Sequence, residues 1–388
     1  MSKRLNMRVK ALAGLISIFA VLMLISSCSS KKVKRKPAPL APQVVVGAKF
    51  KINWSIDFDS DSTFQLLQPF IDEDEILSVS TTGRLSTVNH DGDLIAQNWL
   101  EPVSSGVSKT SLGVAYVNQN GFIQHRGKNF ELLWSGELKA LAFNAPIEVD
   151  GQLIVQTIDD RISSFDLATG QLQWVNQIVQ PELTIKGQTA PLVYNGNIIA
   201  AFANGRVVSI NAKSGKTNWE YSLKGAVSSN VLESLLDIDA PMQMVGNQLF
   251  VIGNHGNMTV LNLNNGNALW EKDIQSLKAF AIDEINNRLY LVLVDGSLTA
   301  IDIATGTYAW HEKFLLYRNP TGIVLVNGVL LVGDYEGYLH AVSTKNGMPL
   351  NRLQIDRSSI QTKIVEYNGS VYIQSQSGKL ISLSVSEI

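Results

Sequence analysis

Cysteine is almost absent from this sequence: Cys28 is the only one among 388 residues. A chain with a single thiol has no internal disulfide, and no cysteine is available in the body of the protein as a nucleophile. Charged residues are also few, at 17%, whereas hydrophobic residues make up 45%. This composition excludes wholesale disorder and is sufficient for a large buried core.

Basic residues are scarce beyond the N-terminus. All charged side chains in residues 1–36 are basic, so acidic residues outnumber basic ones over residues 37–388 by more than the whole-chain net charge of −2. A nucleic-acid-binding protein needs a basic surface facing the phosphates, and we therefore expect no nucleic-acid partner.

Motifs for catalysis and metal binding are missing as well. The five histidines, which are His90, His125, His255, His311 and His340, have no metal-ligand spacing. There is no Gly-x-Ser-x-Gly elbow, and Ser214–Thr217 ("SGKT") lacks the earlier glycine of a phosphate-binding loop because Ile210 stands there. We expect no catalytic residue, no metal site and no cofactor.

The N-terminus has the order of a secretory signal. Basic residues precede an apolar run at residues 11–25, and small residues lead to Cys28. This ending resembles the bacterial lipobox, which implies that residues 1–27 are a signal peptide and that Cys28 is lipidated, with palmitate among the acyl chains. A membrane-spanning anchor is the alternative, since residues 31–36 ("KKVKRK") supply a basic flank, although the apolar run is shorter than the ~20 residues needed. Residues 28–44 then form a basic, proline-rich tether.

An internal repeat organises the rest of the chain. The stretch "SFDLATGQLQW" (residues 164–174) recurs as "AIDIATGTYAW" (residues 300–310), and each unit contains four short strands separated by turn signals. The end of each unit is marked by tryptophan at positions 54, 99, 134, 174, 219, 270 and 310, and a further step reaches Asn351. Eight units result.

The two ends of the chain predict how the repeats close. The last unit has three strands, and residues 49–57 form a lone strand with no unit before it. Pairing the two completes an eighth unit and leaves only short edges. The sequence therefore predicts an all-β fold over residues 45–388, an eight-bladed β-propeller of four-stranded blades closed by the N-terminal strand.

Within one unit the residue types have structural roles. Asp166 is placed to accept hydrogen bonds from the following turn, and Gly170 supplies the positive φ of a tight hairpin. Trp174 is expected to wedge between neighbouring sheets.

Two consecutive connections are longer than the others, from Trp174 to Pro191 and from Trp219 to Pro241. Corresponding connections emerge on one face of a propeller, so we expect the two to be neighbours. Leu183, Ile185 and Lys186 in the first, with Asp237 and Asp239 in the second, combine apolar and charged groups as an interface does. The alternative is that the apolar residues fold inward and cap the propeller.

The "D-x-x-T-G-x-x-x-W" form of the repeat resembles the quinoprotein alcohol dehydrogenases. That resemblance implies pyrroloquinoline quinone with calcium on the propeller axis, and it leaves an enzyme or a small-ligand sensor as the alternative function. The vicinal cysteine pair of those enzymes has no counterpart in a chain with Cys28 alone.

The lipobox, the tether, the eight repeats and the two long connections together resemble the BamB family of outer membrane protein assembly factors. "LTIKG" (residues 183–187) matches the family's Leu-Ser-Leu-Arg-Gly, with Lys186 in place of arginine, and "DID" (residues 237–239) matches Asp-Val-Asp. The resemblance implies a non-enzymatic lipoprotein on the periplasmic face of the outer membrane. Its implied partners are the POTRA region of BamA, the other assembly-complex lipoproteins and unfolded β-barrel clients.

Overall fold

The computed structural model describes residues 36–40, 47–58, 67–177, 189–202, 205–223, 241–253, 257–274, 276, 278–360, 363–375 and 377–388. By its contacts the chain divides into Met1–Lys36 and Pro37–Ile388, and only Lys36 of the first unit is described. No helix within the described ranges is long and apolar enough to cross a membrane.

The described residues form 32 β-strands in eight sheets of four strands each, and the strands of each sheet are neighbours in space in the order of the chain, apart from the last sheet. Each sheet is one blade. Blade 1 contains β2 (Phe70–Ile71), β3 (Ile76–Val79), β4 (Arg84–Val88) and β5 (Leu94–Trp99); blade 2 contains β6 (Ser108–Thr110), β7 (Gly113–Val117), β8 (Phe122–Gly127) and β9 (Leu132–Glu137); blade 3 contains β10 (Ile147–Val149), β11 (Gln152–Thr157), β12 (Arg161–Asp166) and β13 (Leu172–Gln177); blade 4 contains β14 (Leu192–Tyr194), β15 (Asn197–Ala201), β16 (Arg206–Asn211) and β17 (Thr217–Ser222).

The second half of the chain repeats this pattern. Blade 5 contains β18 (Gln243–Val245), β19 (Gln248–Ile252), β20 (Asn257–Asn262) and β21 (Ala268–Asp273); blade 6 contains β22 (Ala281–Asp283), β23 (Arg288–Val292), β24 (Leu298–Asp302) and β25 (Tyr308–Glu312); blade 7 contains β26 (Val324–Val326), β27 (Val329–Gly333), β28 (Tyr338–Ser343) and β29 (Pro349–Gln354); blade 8 contains β30 (Val365–Tyr367), β31 (Ser370–Gln374), β32 (Lys379–Glu387) and β1 (Ala48–Asp57).

The N-terminal strand closes the propeller as predicted. Strand β1 is the outer strand of blade 8 and pairs antiparallel with β32 over its length, from Ala48 opposite Glu387 to Asp57 opposite Lys379. The fold is thus all-β, an eight-bladed β-propeller, as the repeat count predicted. Since the two ends of the chain share one sheet, the last blade cannot form without both of them.

The core is distributed between neighbouring blades. Each of eight clusters of buried apolar residues draws on two adjacent sheets, because both faces of the middle strands pack against a neighbour. In β12, for example, Ile162 and Ser164 are fully buried, and Ser163 and Phe165 are less than a tenth exposed. Successive residues of a strand point to opposite faces, so both faces of β12 are packed.

The residues of the repeat motif have the structural roles that the sequence predicted. Asp166 Oδ1 accepts hydrogen bonds from the backbone N–H groups of Ala168 at 3.2 Å and Thr169 at 2.8 Å. Gly170 has a φ of 72°, and the ring of Trp134 from blade 2 lies against it. In the same way Trp174 covers Gly215 of blade 4, and its indole N–H donates to the Ala212 carbonyl at 2.9 Å.

The assignment of Trp99 to the repeat was wrong. In the other blades the tryptophan pairs with the residue just before a register shift, as Trp134 does with His125, and in blade 1 the residue in that position is Ala96, opposite Thr87. Trp99 lies three residues later, opposite Arg84, and is 71% exposed. Two blades therefore lack the repeat tryptophan, since Asn351 takes its place in blade 7, as predicted.

Candidate partner-binding site

The outer-to-inner connections, each joining the outer strand of one blade to the inner strand of the next, all lie on one face of the propeller. Each blade has four antiparallel strands, so its outer strand ends on the same face of the propeller on which its inner strand begins. Contacts to the second turns of blades 4 and 7 agree: the Leu223 N–H donates to the Gly205 carbonyl at 3.0 Å, and the Ile355 N–H to that of Gly337 at 2.9 Å. We call this the connection face.

The predicted partner-binding residues lie outside the described residues. Leu183, Ile185 and Lys186 fall in residues 178–188, and Asp237 and Asp239 fall in residues 224–240. The predicted lipid-attachment residue, Cys28, is also outside the described part of the chain. What is described is the pair of ends from which each long connection leaves the propeller and returns to it.

The returning ends of the two long connections are joined. The backbone N–H of Met242 donates to Thr189 Oγ1 at 3.2 Å, and both residues are buried, at 4% and 3% exposure. Thr189 is the first described residue near the end of one connection, and Met242 lies just after the other. Sequence reasoning missed this contact because nothing in the repeat pattern pairs a threonine in one unit with a backbone amide in the next.

Apolar packing reinforces the same junction. Leu223, where the second connection departs, is 2% exposed and belongs to one buried cluster with Met242, and Leu192 of β14 packs against that cluster. The cluster spans blades 4 and 5. A rigid base of this kind is what a recognition loop needs, because strands carry the packing and loops carry the binding residues.

A cavity of about 420 Å³ lies on the propeller axis beside this junction. Inner strands of five blades line it: β14, β18, β22, β26 and β30. Most of the lining is aliphatic, and its two charged residues are Lys363 and Glu366.

The lining does not fit pyrroloquinoline quinone with calcium. Calcium takes six to eight oxygen ligands, whereas the lining offers one carboxylate, that of Glu366, whose Oε1 already accepts a hydrogen bond from the Gly369 N–H at 2.8 Å. Within the described ranges no three His, Cys, Asp or Glu side chains gather where they could hold a metal ion. The class is therefore an eight-bladed propeller of quinoprotein-type repeats whose described axial residues do not suit that cofactor.

Comparison with known proteins narrows this class to one family. The sequence profile of the family described as "Outer membrane protein assembly factor BamB" matches residues 81–312 and 282–387. A Yersinia pestis protein of that name is 25% identical over 399 residues, covering 98% of this chain and all of the relative. The chain belongs to the BamB family.

Solved structures share the fold. BamB from Moraxella catarrhalis superposes with a TM-score of 0.74 at 20% identity, covering 87% of this chain and 98% of that one. Quinohemoprotein alcohol dehydrogenase from Comamonas testosteroni gives a TM-score of 0.67 at 11% identity, covering 86% of this chain and 76% of that one. At these identities both similarities indicate a shared propeller fold and nothing further.

Proposed function

We propose that the protein is a non-enzymatic, lipid-anchored scaffold on the periplasmic face of the outer membrane, where it binds the POTRA region of BamA and aids the assembly of β-barrel proteins. Membership of the BamB family supports the role in outer membrane protein assembly, since the similarity extends over nearly the whole chain. The relatives are named as assembly factors, and their names describe no reaction.

One observation carries the choice of binding surface. The hydrogen bond from Met242 to Thr189 joins the returning ends of the two long connections, so that both connections re-enter the propeller at adjacent points on the connection face. Leu183 and Ile185 then supply apolar anchors, and Lys186, Asp237 and Asp239 supply charges of both signs around them. An apolar centre with a charged rim is the usual composition of a protein–protein interface.

Charge reversal of the acidic pair tests this surface. We expect the double variant Asp237→Lys, Asp239→Lys to lose co-purification with BamA from solubilised membranes, because two attractive contacts become repulsive. Asp91 and Asp93 provide the matched control: they are exposed acids at the same spacing, in a turn on the face opposite the connection face. Asp91→Lys, Asp93→Lys should leave co-purification unchanged, and equal recovery of BamA by both double variants would contradict the proposal.

A substitution at Lys186 should strengthen binding to BamA. Lysine presents a single ammonium, whereas arginine can pair with a carboxylate through two parallel hydrogen bonds. Lys186→Arg should therefore increase the recovery of BamA in the same experiment, and a loss of recovery would argue that Lys186 does not face an acidic group of the partner.

Lipid attachment at Cys28 has its own test. Replacing the thiol in Cys28→Ser prevents acylation, and each buried CH2 of an acyl chain is worth about 0.8 kcal/mol of membrane affinity. We expect the variant to move from the membrane fraction to the soluble periplasmic fraction. A variant that stays in the membrane would favour the alternative, an apolar segment retained as an anchor.

A further inference from the structure

The segment just after the basic run is fixed to the propeller. Residues 37–40 lie beside the connection between β25 and β26, and the Ala38 N–H donates to the Leu316 carbonyl at 2.9 Å. The Ala38 carbonyl in turn accepts a hydrogen bond from Arg318 Nη1 at 3.1 Å. Both polar groups of one tether residue are thus paired with the propeller, and Ala38 and Leu40 are half-buried.

Arg318 is held in place by hydrogen bonds and ion pairs within the propeller. Its side chain is almost fully buried, its Nε donates to Asp334 Oδ2 at 2.8 Å, and its Nη2 pairs with both Asp334 and Glu336. The guanidinium also lies 5.3 Å from the centre of the Tyr335 ring. Two guanidinium nitrogens are therefore committed within blade 7 and its connection, and the third, Nη1, is directed at the tether.

Asp334 keeps its charge at this position. Burial by itself raises the pKa of the Asp334 carboxyl, but the hydrogen bond from His340 Nε2 at 3.0 Å and those from the Tyr338 N–H and Arg318 outweigh it, and the net pKa lies below the ordinary value. A buried ion pair needs such full satisfaction, because a charge left unpaired in the interior is strongly destabilising. The arginine is consequently preorganised whether or not the tether is present.

The contact lies on the connection face. Leu316 and Arg318 belong to the connection from β25 to β26, which is of the same outer-to-inner kind as the two long connections. The Tyr317 N–H donates to the Asp295 carbonyl at 2.8 Å, next to Gly296 in the second turn of blade 6, which lies on this face.

We propose that Leu316 and Arg318 form a docking site for the chain's own segment 37–40, which fixes the point where the N-terminal tether leaves the propeller on the connection face. The proposal goes beyond the proposed function and does not depend on it. Pro37 and Pro39 suit such a segment, since proline is already restricted in the free chain and loses less conformational entropy on docking. Docking also shortens the free tether: the covalent reach from Cys28 falls from about 65 Å, measured to Gly47, to about 30 Å, measured to Pro37.

Hydrogen exchange on the full-length protein tests the docking. Pro37 and Pro39 have no backbone N–H, so the Ala38 amide has no exchanging neighbour on either side in a peptide that spans the segment. We expect its exchange to be slower than the intrinsic rate by roughly tenfold or more, because the amide exchanges only when the segment undocks. Exchange at the intrinsic rate would overturn the proposal.

Arginine-to-lysine variants separate docking from general loosening. Arg318→Lys keeps a charge beside Asp334 but removes the nitrogen that reaches the Ala38 carbonyl, so the Ala38 amide should lose most of its protection. Arg126 is the matched control, since its Nη1 also donates to a backbone carbonyl, that of Phe130 at 3.0 Å, within blade 2. An equal loss of protection in Arg126→Lys would assign the effect to loosening and overturn the role of Arg318.

A cysteine pair gives a second readout that does not rely on Arg318. Ala38→Cys with Leu316→Cys should form a disulfide quickly in an oxidising buffer, because the two backbones are hydrogen-bonded. Ala38→Cys with Lys139→Cys is the control, since Lys139 is exposed in the corresponding connection between blades 2 and 3. Similar rates for the two pairs would mean that the segment samples the whole face, which contradicts a fixed docking site.

Discussion

Phe130 and Ala96 line the same inter-blade cavity of about 420 Å³, and together they replace the tryptophan–glycine pair found between other blades. In blade 1 the turn ending at β5 places Gly92 in the left-handed region, with a φ of 92°, under the ring of Trp54 from blade 8. The corresponding turn of blade 2 has the same hydrogen bonds but puts Phe130 there, with a φ of 65°. A large aromatic residue thus moves from the strand to the turn, and it packs on the cluster between blades 1 and 2.

Exchanging the pair should reveal its coupling. We expect Ala96→Trp alone to destabilise the fold by about 1–3 kcal/mol, since the new ring meets Phe130. Phe130→Gly alone should also destabilise it, because the aromatic packing lost exceeds the relief of the left-handed backbone. In the double variant the pair regains the tryptophan–glycine form found at most other blade junctions, and a double-mutant cycle from urea unfolding should give a favourable coupling above about 1 kcal/mol. Additive effects would mean that the two sites are independent.

The effect of the tryptophan contact at a turn glycine on stability can be measured separately from the effect of backbone strain. In Gly215→Ala the added Cβ would lie 2.6 Å from the ring of Trp174, at a φ of 68°. Gly246 has a φ of 57° and no atom within 4 Å of an added Cβ, so Gly246→Ala reports the strain alone, about 1–2 kcal/mol. We expect the free energy of unfolding to fall by a further 1–3 kcal/mol or so in Gly215→Ala. Equal losses in the two variants would remove the inter-blade contact from the explanation.

The closing strand depends on one tryptophan. The Trp54 indole N–H donates to the His90 carbonyl at 2.7 Å, which joins the outer strand of blade 8 to a turn of blade 1. Trp54→Ala should cost roughly 2–4 kcal/mol of unfolding free energy. Trp99→Ala, at a 71% exposed position on a neighbouring outer strand, should change stability by less than about 0.5 kcal/mol. Comparable losses would show that exposure does not decide the effect.

The repeat allowed most of the fold to be predicted, and its exceptions explain what could not be. Asp166, Gly170 and Trp174 have counterparts in most blades because these blades use the same turn and the same inter-blade packing, so the blade number follows from their spacing. Trp99 was assigned to the repeat because the sequence shows that a tryptophan is present but not which residue it pairs with. Strand register is set by cross-strand contacts. Arg318 was missed for a similar reason: Asp334 and Glu336 lie 16 and 18 residues after it and Ala38 lies 280 residues before it, and no motif links these positions.

Acid sensitivity should originate at His125. The ring is fully buried between blades 2 and 3, where Nδ1 contacts the Leu167 carbonyl at 3.0 Å and Nε2 contacts the Thr110 hydroxyl at 2.8 Å, an arrangement that suits the neutral ring. Burial lowers the pKa of His125, and this effect exceeds the opposing hydrogen bond to Leu167. The unfolded chain, with a histidine pKa of about 6.5, therefore binds the proton first, so stability is constant above that pH and falls below it.

Unfolding free energies measured at several values between pH 7.5 and 5 check this origin. We expect the native protein to lose stability below pH ~6.5 with a slope of at most about 1.4 kcal/mol per pH unit from this group. His125→Gln should be less stable at pH 7.5, since it repacks a buried site, but its stability should depend less on pH over that interval. His311→Gln, at an exposed position in β25, should keep the native pH dependence. If His125→Gln retains the full slope, another group must carry the acid sensitivity, because the removed imidazole is the one whose protonation the buried site opposes.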